Sequence, residues 1–394
     1  MLKTQSTPSL EGTILNDEMT RALTIERLQS HLALEIEGYK ASSELIHEIA
    51  IHAAVTGRLI EASCQELEVD IGANRVREHL NACLAPERLT ELEAKANAAL
   101  QEGLPRKVRR AAGELAIDLH DQPYYGKDDE LTCRGEAKAG TTRCYRVATA
   151  YLLHEGVRFT LALLFVRPEY SMAEILEKLL ARLESASLTV KRLWLDKGFA
   201  SIPVYRLLEK RELKAVIACP IRGKPTGQGT RALCKGKAGY PTHHTFRSSK
   251  YGSYQVPLTI VRTWSMTRQG KRRWTYLAFV QLGTSLAPSR VRASYRLRFG
   301  VESSYRCMRS VKAKTSTRNP AVRLFFMALA FILVNLWILL RFRFCQIPQR
   351  GRSGRPLDEA RFRLGRFASF LQQAIERYLG IVTAISATAP PIGV

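Results

Sequence analysis

Acidic residues are almost missing from one long stretch of this chain. Among the 145 residues 213–357, bounded by Glu212 and Asp358, Glu302 is the only acid, against 28 lysines and arginines. The rest of the chain carries 32 basic and 35 acidic residues, so the net charge of +24 gathers around one glutamate. Charge this one-sided points to a polyanionic partner, nucleic acid before a membrane surface. Paired cysteines are missing too. The eight cysteines (64, 83, 133, 144, 219, 234, 307, 345) form no C-x-x-C, which excludes a zinc ribbon and a disulfide framework and fits a reducing compartment. The N-terminus, MLKTQSTPSLEGTILNDEM, has no apolar core of a signal peptide, so a cytoplasmic, nucleoid-associated protein is expected.

Long hydrophobic runs are scarce, with one exception. Leu324–Leu340 is 17 nearly unbroken apolar residues between Arg323 and Arg341, the lower edge of what spans a bilayer. Asn319-Pro320 supplies a helix start, no second span exists, and we read a helix buried all round in a large domain rather than a membrane anchor. With 394 residues, 46% hydrophobic and 24% charged, the chain has room for two or three globular domains.

Glu302 sits in YRLRFGVESSYRCMRSVK, Tyr295–Lys312. On a helix, Leu297, Val301, Tyr305 and Met308 form a core-facing stripe, and Tyr295, Arg298, Glu302, Arg306 and Arg309 form a second face. One reading is a metal ligand held beside phosphates. The other is a salt-bridged helix with Glu302 paired to Arg298 and Arg306. Gly300 weakens an unbroken helix by about 1 kcal/mol relative to alanine.

Residues 40–100 read as short helices broken at Thr56-Gly57 and Asp70-Ile71-Gly72. SCQELEVDIGANRVREHL (63–80) is compatible with a helix-turn-helix exposing Asn74, Arg75 and Arg77, or with a plain helical bundle. The composition changes at Pro105-Arg106-Lys107. GELAIDLH (113–120) is a short buried strand ending in Asp118, followed by Asp121 and the loop QPYYGKDDE. RCYRVATAYLLHEG and VRFTLALLFVRP form a hairpin about His154-Glu155-Gly156. SMAEILEKLLARLES is a helix with Ser171 as N-cap and Glu174 three residues on. A strand ending at Asp196, a helix and the strand KAVIACPIRG follow. YGSYQVPLTIVRTW and KRRWTYLAFVQL form a basic, β-rich insertion, and an amphipathic helix ends the chain after QRGRSGRP.

Three antiparallel strands and a helical crossover to a fourth would set Asp118 and Asp196 side by side at strand carboxyl ends, where open α/β sheets bind ligands. Phosphodiester chemistry at neutral pH needs an activated water and a stabilised leaving oxygen. Two Mg²⁺ or Mn²⁺ ions supply both when carboxylates hold them. Asp118, Asp196 and Glu302 meet that requirement, with Asp121 a rival for the role of Asp118. Adjacent His243 and His244 point apart on a strand and do not make a metal site.

Tyr295-x2-Arg298-x3-Glu302-x6-Arg309 resembles the Y-R-E-K signature of DDE transposases from prokaryotic insertion sequences, with arginine in the lysine position. AIDLHDQPYYG and LWLDKGFAS resemble the first and second catalytic motifs of the cut-and-paste group that carries a β-strand insertion. The resemblance covers about 113–345. It implies an α/β fold with a ribonuclease-H-like core and a DDE triad of Asp118, Asp196 and Glu302 binding Mg²⁺ or Mn²⁺. It further implies DNA contacts from Tyr295, Arg298 and Arg309, which Arg306 and Lys312 would join, and a homodimer that joins terminal inverted repeats to target DNA. The expected division is a helical end-binding region (1–105), the first part of the catalytic domain (106–223), the insertion (224–288), the catalytic and core helices (289–348) and a helical tail (349–394). An inactive DNA-binding relic and a metal-dependent nuclease without strand transfer are the alternatives.

Overall fold

A computed structural model describes residues 14–36, 40–105, 108–109, 112–153, 158–298, 300–347 and 357–384, without the side chains of Lys138, Ser265, Val301 and Glu302. The chain forms two compact units. The first comprises Met1–Cys83, Ser310–Thr315 and Leu340–Val394, and the second Leu84–Arg309 and Ser316–Leu339. Helix α5 (Leu89–Gln101) thus belongs with the sheet, and the C-terminal helix with the N-terminal ones, where the sequence alone separates them at 105 and 349.

The first unit is a helical bundle of α1 (Asp17–Leu32), α2 (Ser43–Thr56), α3 (Ile60–Glu66), α4 (Ala73–Cys83) and α11 (Leu364–Leu379). Asn16 and Ser42 cap α1 and α2 by accepting from the Met19 and Leu45 amides, and Gly57 ends α2 at φ 65°, a conformation that favours glycine. Helix α11 packs on α1 and α2 through buried Phe367, Leu371 and Ile375, and Arg377 pairs with Asp17 at 2.7 Å. Residues 67–72 between α3 and α4 exceed the three- or four-residue turn of a helix-turn-helix. The end of α3 and the start of this connection also pair with the chain beyond α11, through Val382 N–H to Glu66 O (2.8 Å) and Glu68 N–H to Gly380 O (3.1 Å). The bundle alternative therefore describes this region. Asn74, Arg75 and Arg77 are exposed, but Arg75 pairs with Glu78 and Arg77 lies 3.7 Å from Glu61.

The second unit is built on one nine-stranded, mostly antiparallel sheet. Its strands are β1 (Gly113–Pro123), β2 (Cys133–Lys138), β3 (Thr141–Leu152), β4 (Thr160–Val166), β5 (Val190–Leu195), β6 (Ala215–Cys219), β7 (Tyr240–Ser248), β8 (Gly252–Met266) and β9 (Arg272–Leu282). The order is β2-β3-β1-β5-β6-β9-β8-β7, with β4 also paired to β3. Only β1-β5 and β5-β6 are parallel, joined by crossovers through α6 (Met172–Ser185) and α7 (Ile202–Lys210). Ser171 and Glu174 form the expected capping box, and Ile175, Leu176, Leu179, Leu180 and Leu183 give α6 its buried stripe.

Strand β2 lies beyond the QPYYGKDDE loop, in a stretch that the sequence pattern assigns to no element. CRGEAK has no apolar alternation, and its pairing with β3 is irregular between Arg134 and Lys138. The insertion does not form a separate layer: β9 pairs with β6, so β7–β9 continue the same sheet. The junction expected at His154-Glu155-Gly156 lies outside the described residues. Strand β4 is closed on its free side by α5. The side chains of Glu93, Asn97 and Gln101, at successive turns, bond the backbone of Phe165, Leu163 and Leu161 at 2.7–2.9 Å. Polar side chains on one helix stripe thereby stand in for a missing strand.

The apolar run lies in α10 (Pro320–Phe344), most of it buried. At its centre Asn335 is fully buried and satisfied. It accepts from Thr160 N–H (2.9 Å) and donates to Thr160 O (2.7 Å) and Leu100 O (3.0 Å). Such an asparagine belongs to a protein interior rather than to a lipid-facing surface.

Candidate active site

Strand β1 is central, flanked by β3 and β5, and Leu115, Ala116 and Ile117 are buried as a strand covered on both faces requires. Its parallel pairing with β5 ends at Ile117 and Leu195. The next residues are Asp118 and Asp196, which therefore stand abreast. Strand β1 does not stop at Asp118. It runs on along β3 alone, from Asp118 opposite Thr149 to Pro123 opposite Cys144. Asp196 opens a short 3₁₀ turn, Lys197–Phe199, without spending its side chain on a capping bond.

Asp121, three residues after Asp118, belongs to the opposite face of the pleat. Arg146, its cross-strand partner, holds it with two bonds of 2.6 and 3.0 Å, and that pairing pushes the Arg146 guanidinium further up. Asp118 is instead met by Arg298, whose Nη2 lies 3.0 Å from Asp118 Oδ1 while Nη1 lies 3.8 Å from Asp196 Oδ1.

Arg298 ends α8 (Pro288–Arg298), and α9 (Gly300–Ser310) carries Glu302. The structure corrects the assignment of faces in part: Tyr305 and Met308 are buried as expected, at 6% and 0%, but the α8 positions are not as expected. Leu297 is 56% exposed, whereas Tyr295 and Arg298 are buried at 5% and 7%. The inward face is chosen by polar anchors as well as by apolarity. Tyr295 sits beside Trp194 and Phe279, with ring centroids 6.3 and 4.9 Å away, and its hydroxyl donates to Leu195 O at 3.0 Å. It thus fixes the backbone just ahead of Asp196. Tyr305 on α9 reaches two strands beside Asp118, with its hydroxyl 2.8 Å from Thr149 Oγ1 on β3 and its ring stacked on His120 of β1 at 4.7 Å. Burial raises both phenols well above their ordinary range, which keeps them neutral.

Glu302 stands one turn before Tyr305 on α9. Its side chain lies outside the described residues, and among those residues no three histidines, cysteines or carboxylates cluster as a metal cage. Asp118 and Asp196 nevertheless fit a divalent ion. Both offer hard oxygen donors at one edge, their side chains are 21% and 41% exposed, and the site already holds a cation between them. Arg306 and Arg309 are exposed, with Arg309 Nε 3.4 Å from Tyr305 O, and Lys312 lies half-buried in the first unit.

Residues 115–336, more than half of the chain, match the family described as the transposase DDE domain. The chain belongs to that family. No curated protein matches this DDE transposase in sequence. Among solved structures it is similar to a piggyBac transposase in a cryo-EM synaptic complex with hairpin DNA, at 12% identity and a TM-score of 0.54. That match covers 96% of this chain and 84% of the other. At this identity the likeness is one of fold.

Around the acids of this DDE domain, Tyr295 and Arg298, for which the resemblance implies DNA contacts, both turn inward to the sheet. Thr149 and His120 beside them carry no sequence motif of their own. The period-2 pattern around Asp118 puts His120 on its face, but nothing local announces that Thr149 is its partner. Nearby, Arg262, Arg292 and Arg296 line a groove of about 530 Å³ between β8 and α8 that has no carboxylate in its wall.

Proposed function

We propose that this protein is the transposase of a prokaryotic insertion sequence, cutting DNA at the element's ends and joining the freed 3′-hydroxyls to target DNA. The observation that carries the reading is the register that brings Asp118 and Asp196 abreast, met by the segment bearing Tyr295, Arg298 and Glu302. The order β4-β3-β1-β5-β6, three antiparallel strands and then two parallel ones, supports a ribonuclease-H-like core.

Asp118, Asp196 and Glu302 would hold Mg²⁺ or Mn²⁺, which when bound supplies an activated water and charge for the leaving oxygen. The chain's own residues do the rest. The β1-β5 ladder fixes the spacing of the two aspartates, Tyr295 is bonded to β5 just ahead of Asp196, and Tyr305 stacks on His120 of β1 and bonds Thr149 of β3. The arginines of the 213–357 stretch and the carboxylate-free groove supply positive charge along which a DNA backbone can lie. DNA is thus the partner we assign, in keeping with the DNA-bound state of the piggyBac structure. We further assign the first unit to the terminal repeats, a homodimer to the synapse, and the cytoplasm as location, with no membrane role for α10.

The test is strand cleavage on DNA carrying the element's repeats, with Mg²⁺ or Mn²⁺, comparing wild type with Glu302→Ala. Metal-dependent nicking that the variant loses while still binding DNA supports the triad. Binding without cleavage by either protein favours an inactive relic, nicking without joining favours a nuclease, and cleavage by Glu302→Ala removes Glu302 from the site.

A further inference from the structure

We propose that Arg298 is a built-in counter-ion which closes the carboxylate pair while the protein is free of DNA, so that a divalent ion is taken up only as the guanidinium leaves. The inference rests on the reading of Asp118 and Asp196 as ion-holding residues. It deepens that reading by naming what regulates the site.

Two carboxylates on adjacent strands repel each other, and an arginine fork can neutralise them from one position. Arg298 has that position: Nη2 is 3.0 Å from Asp118 Oδ1, Nη1 is 3.8 Å from Asp196 Oδ1, and the residue is 7% exposed. The helix that delivers it is fixed, since Tyr295 one turn earlier is bonded to Leu195 O at 3.0 Å. Arg298 is therefore part of the packed edge, not a loose side chain resting on it.

A divalent ion seeks the same oxygens, and a second cation in a partly desolvated site is repelled by the first. The guanidinium has to turn away from Asp118 before the ion is bound well. Its present seat is incomplete, because Arg298 Nε is buried with no hydrogen-bond partner among the described residues. A phosphate oxygen is a strong alternative acceptor for an arginine fork. DNA arriving at this edge would draw the guanidinium off and leave the carboxylates to the ion. By linkage, DNA and ion then raise each other's affinity by the same factor. The protein alone would remain largely unloaded.

The experiment measures Mn²⁺ binding by DNA-free protein from the loss of the free Mn²⁺ paramagnetic resonance signal. Arg298→Gln is expected to bind Mn²⁺ about tenfold or more tighter than wild type, and Arg298→Lys, which keeps the charge, to stay near wild type. Equal or weaker binding by Arg298→Gln overturns the counter-ion role. Should the substitutions prevent folding, the wild type answers alone. The Arg298 Nε–H resonance is expected to shift in step with added Mg²⁺, and a signal that stays put while Mg²⁺ binds overturns the proposal. Adding Asp118→Asn and Asp196→Asn to Arg298→Gln separates the two ideas, because Mn²⁺ binding that survives there overturns the metal-centre reading itself.

Discussion

Ile117 and Leu195 face each other at the end of a parallel ladder, and an aspartate follows each of them. The backbone pairing that sets these two hydrophobic residues opposite one another also sets the spacing of the acids.

On the proposed metal-centre reading, replacing either acid by its amide takes away an ion-holding oxygen without disturbing that ladder. Asp118→Asn and Asp196→Asn should each lower strand cleavage on the order of a hundredfold or more, with DNA binding retained. Asp121→Asn should leave cleavage in place. It should instead cost about 2 kcal/mol of stability through the loss of its charged bonds to Arg146. Parallel cleavage and denaturation assays on the three variants check this contrast.

Tyr295→Phe keeps the ring beside Trp194 and Phe279 and deletes only the hydroxyl. The Leu195 carbonyl then lies buried without its donor, at a cost of about 1 to 2 kcal/mol. Because Leu195 precedes Asp196, cleavage should fall more than DNA binding does. Urea denaturation, set beside cleavage and binding measured on one substrate, would show it. Unchanged stability would mean that the hydroxyl does not anchor β5.

Asn97 is bonded to both Leu163 N–H and Leu163 O. Asn97→Leu should destabilise the protein by about 2 to 3 kcal/mol and leave part of the outer edge of β4 unpaired. Faster amide exchange at Leu163 and concentration-dependent aggregation on warming are the expected signs. A variant that stays monomeric, with Leu163 protected, would show that the helix stripe does not guard this edge.

Two neighbours on α2 act against each other as pH changes. Burial pushes the Glu48 carboxyl up to about 7, against the pull of Arg21. A raised carboxyl binds its proton more tightly in the folded state. Its stabilising contribution is therefore full below about pH 4.5 and is lost as pH rises through about 7. Burial holds His47 down at about 4, so its contribution is lost as pH falls from 6.5 toward that value. Glu48→Gln removes the first effect only. The variant should be more stable than wild type by about 2 kcal/mol above pH 7 and lose stability more steeply on acidification. Melting temperature followed from pH 8 to pH 4.5 reads both, and parallel curves would refute the assignment to Glu48.

What the sequence determined by itself was whatever a few neighbouring residues encode. Ser171 and Glu174 announced their capping box, the apolar run beyond Asn319-Pro320 announced a core helix, and the segregation of charge singled out Glu302. The strand-helix-strand order was enough to set Asp118 beside Asp196. Tertiary structure decided matters that depend on partners far along the chain. Arg298 and Asp118 are 180 residues apart, and no local period says that an arginine between Leu297 and Phe299 turns inward to an acid. It took β3 to bring Arg146 opposite Asp121, and α11 joined α1 and α2 from the other end of the chain. Spacing fixes which residues share a face. What that face meets depends on which distant surface can bury its apolar atoms and satisfy its polar ones, and only the folded chain supplies that surface.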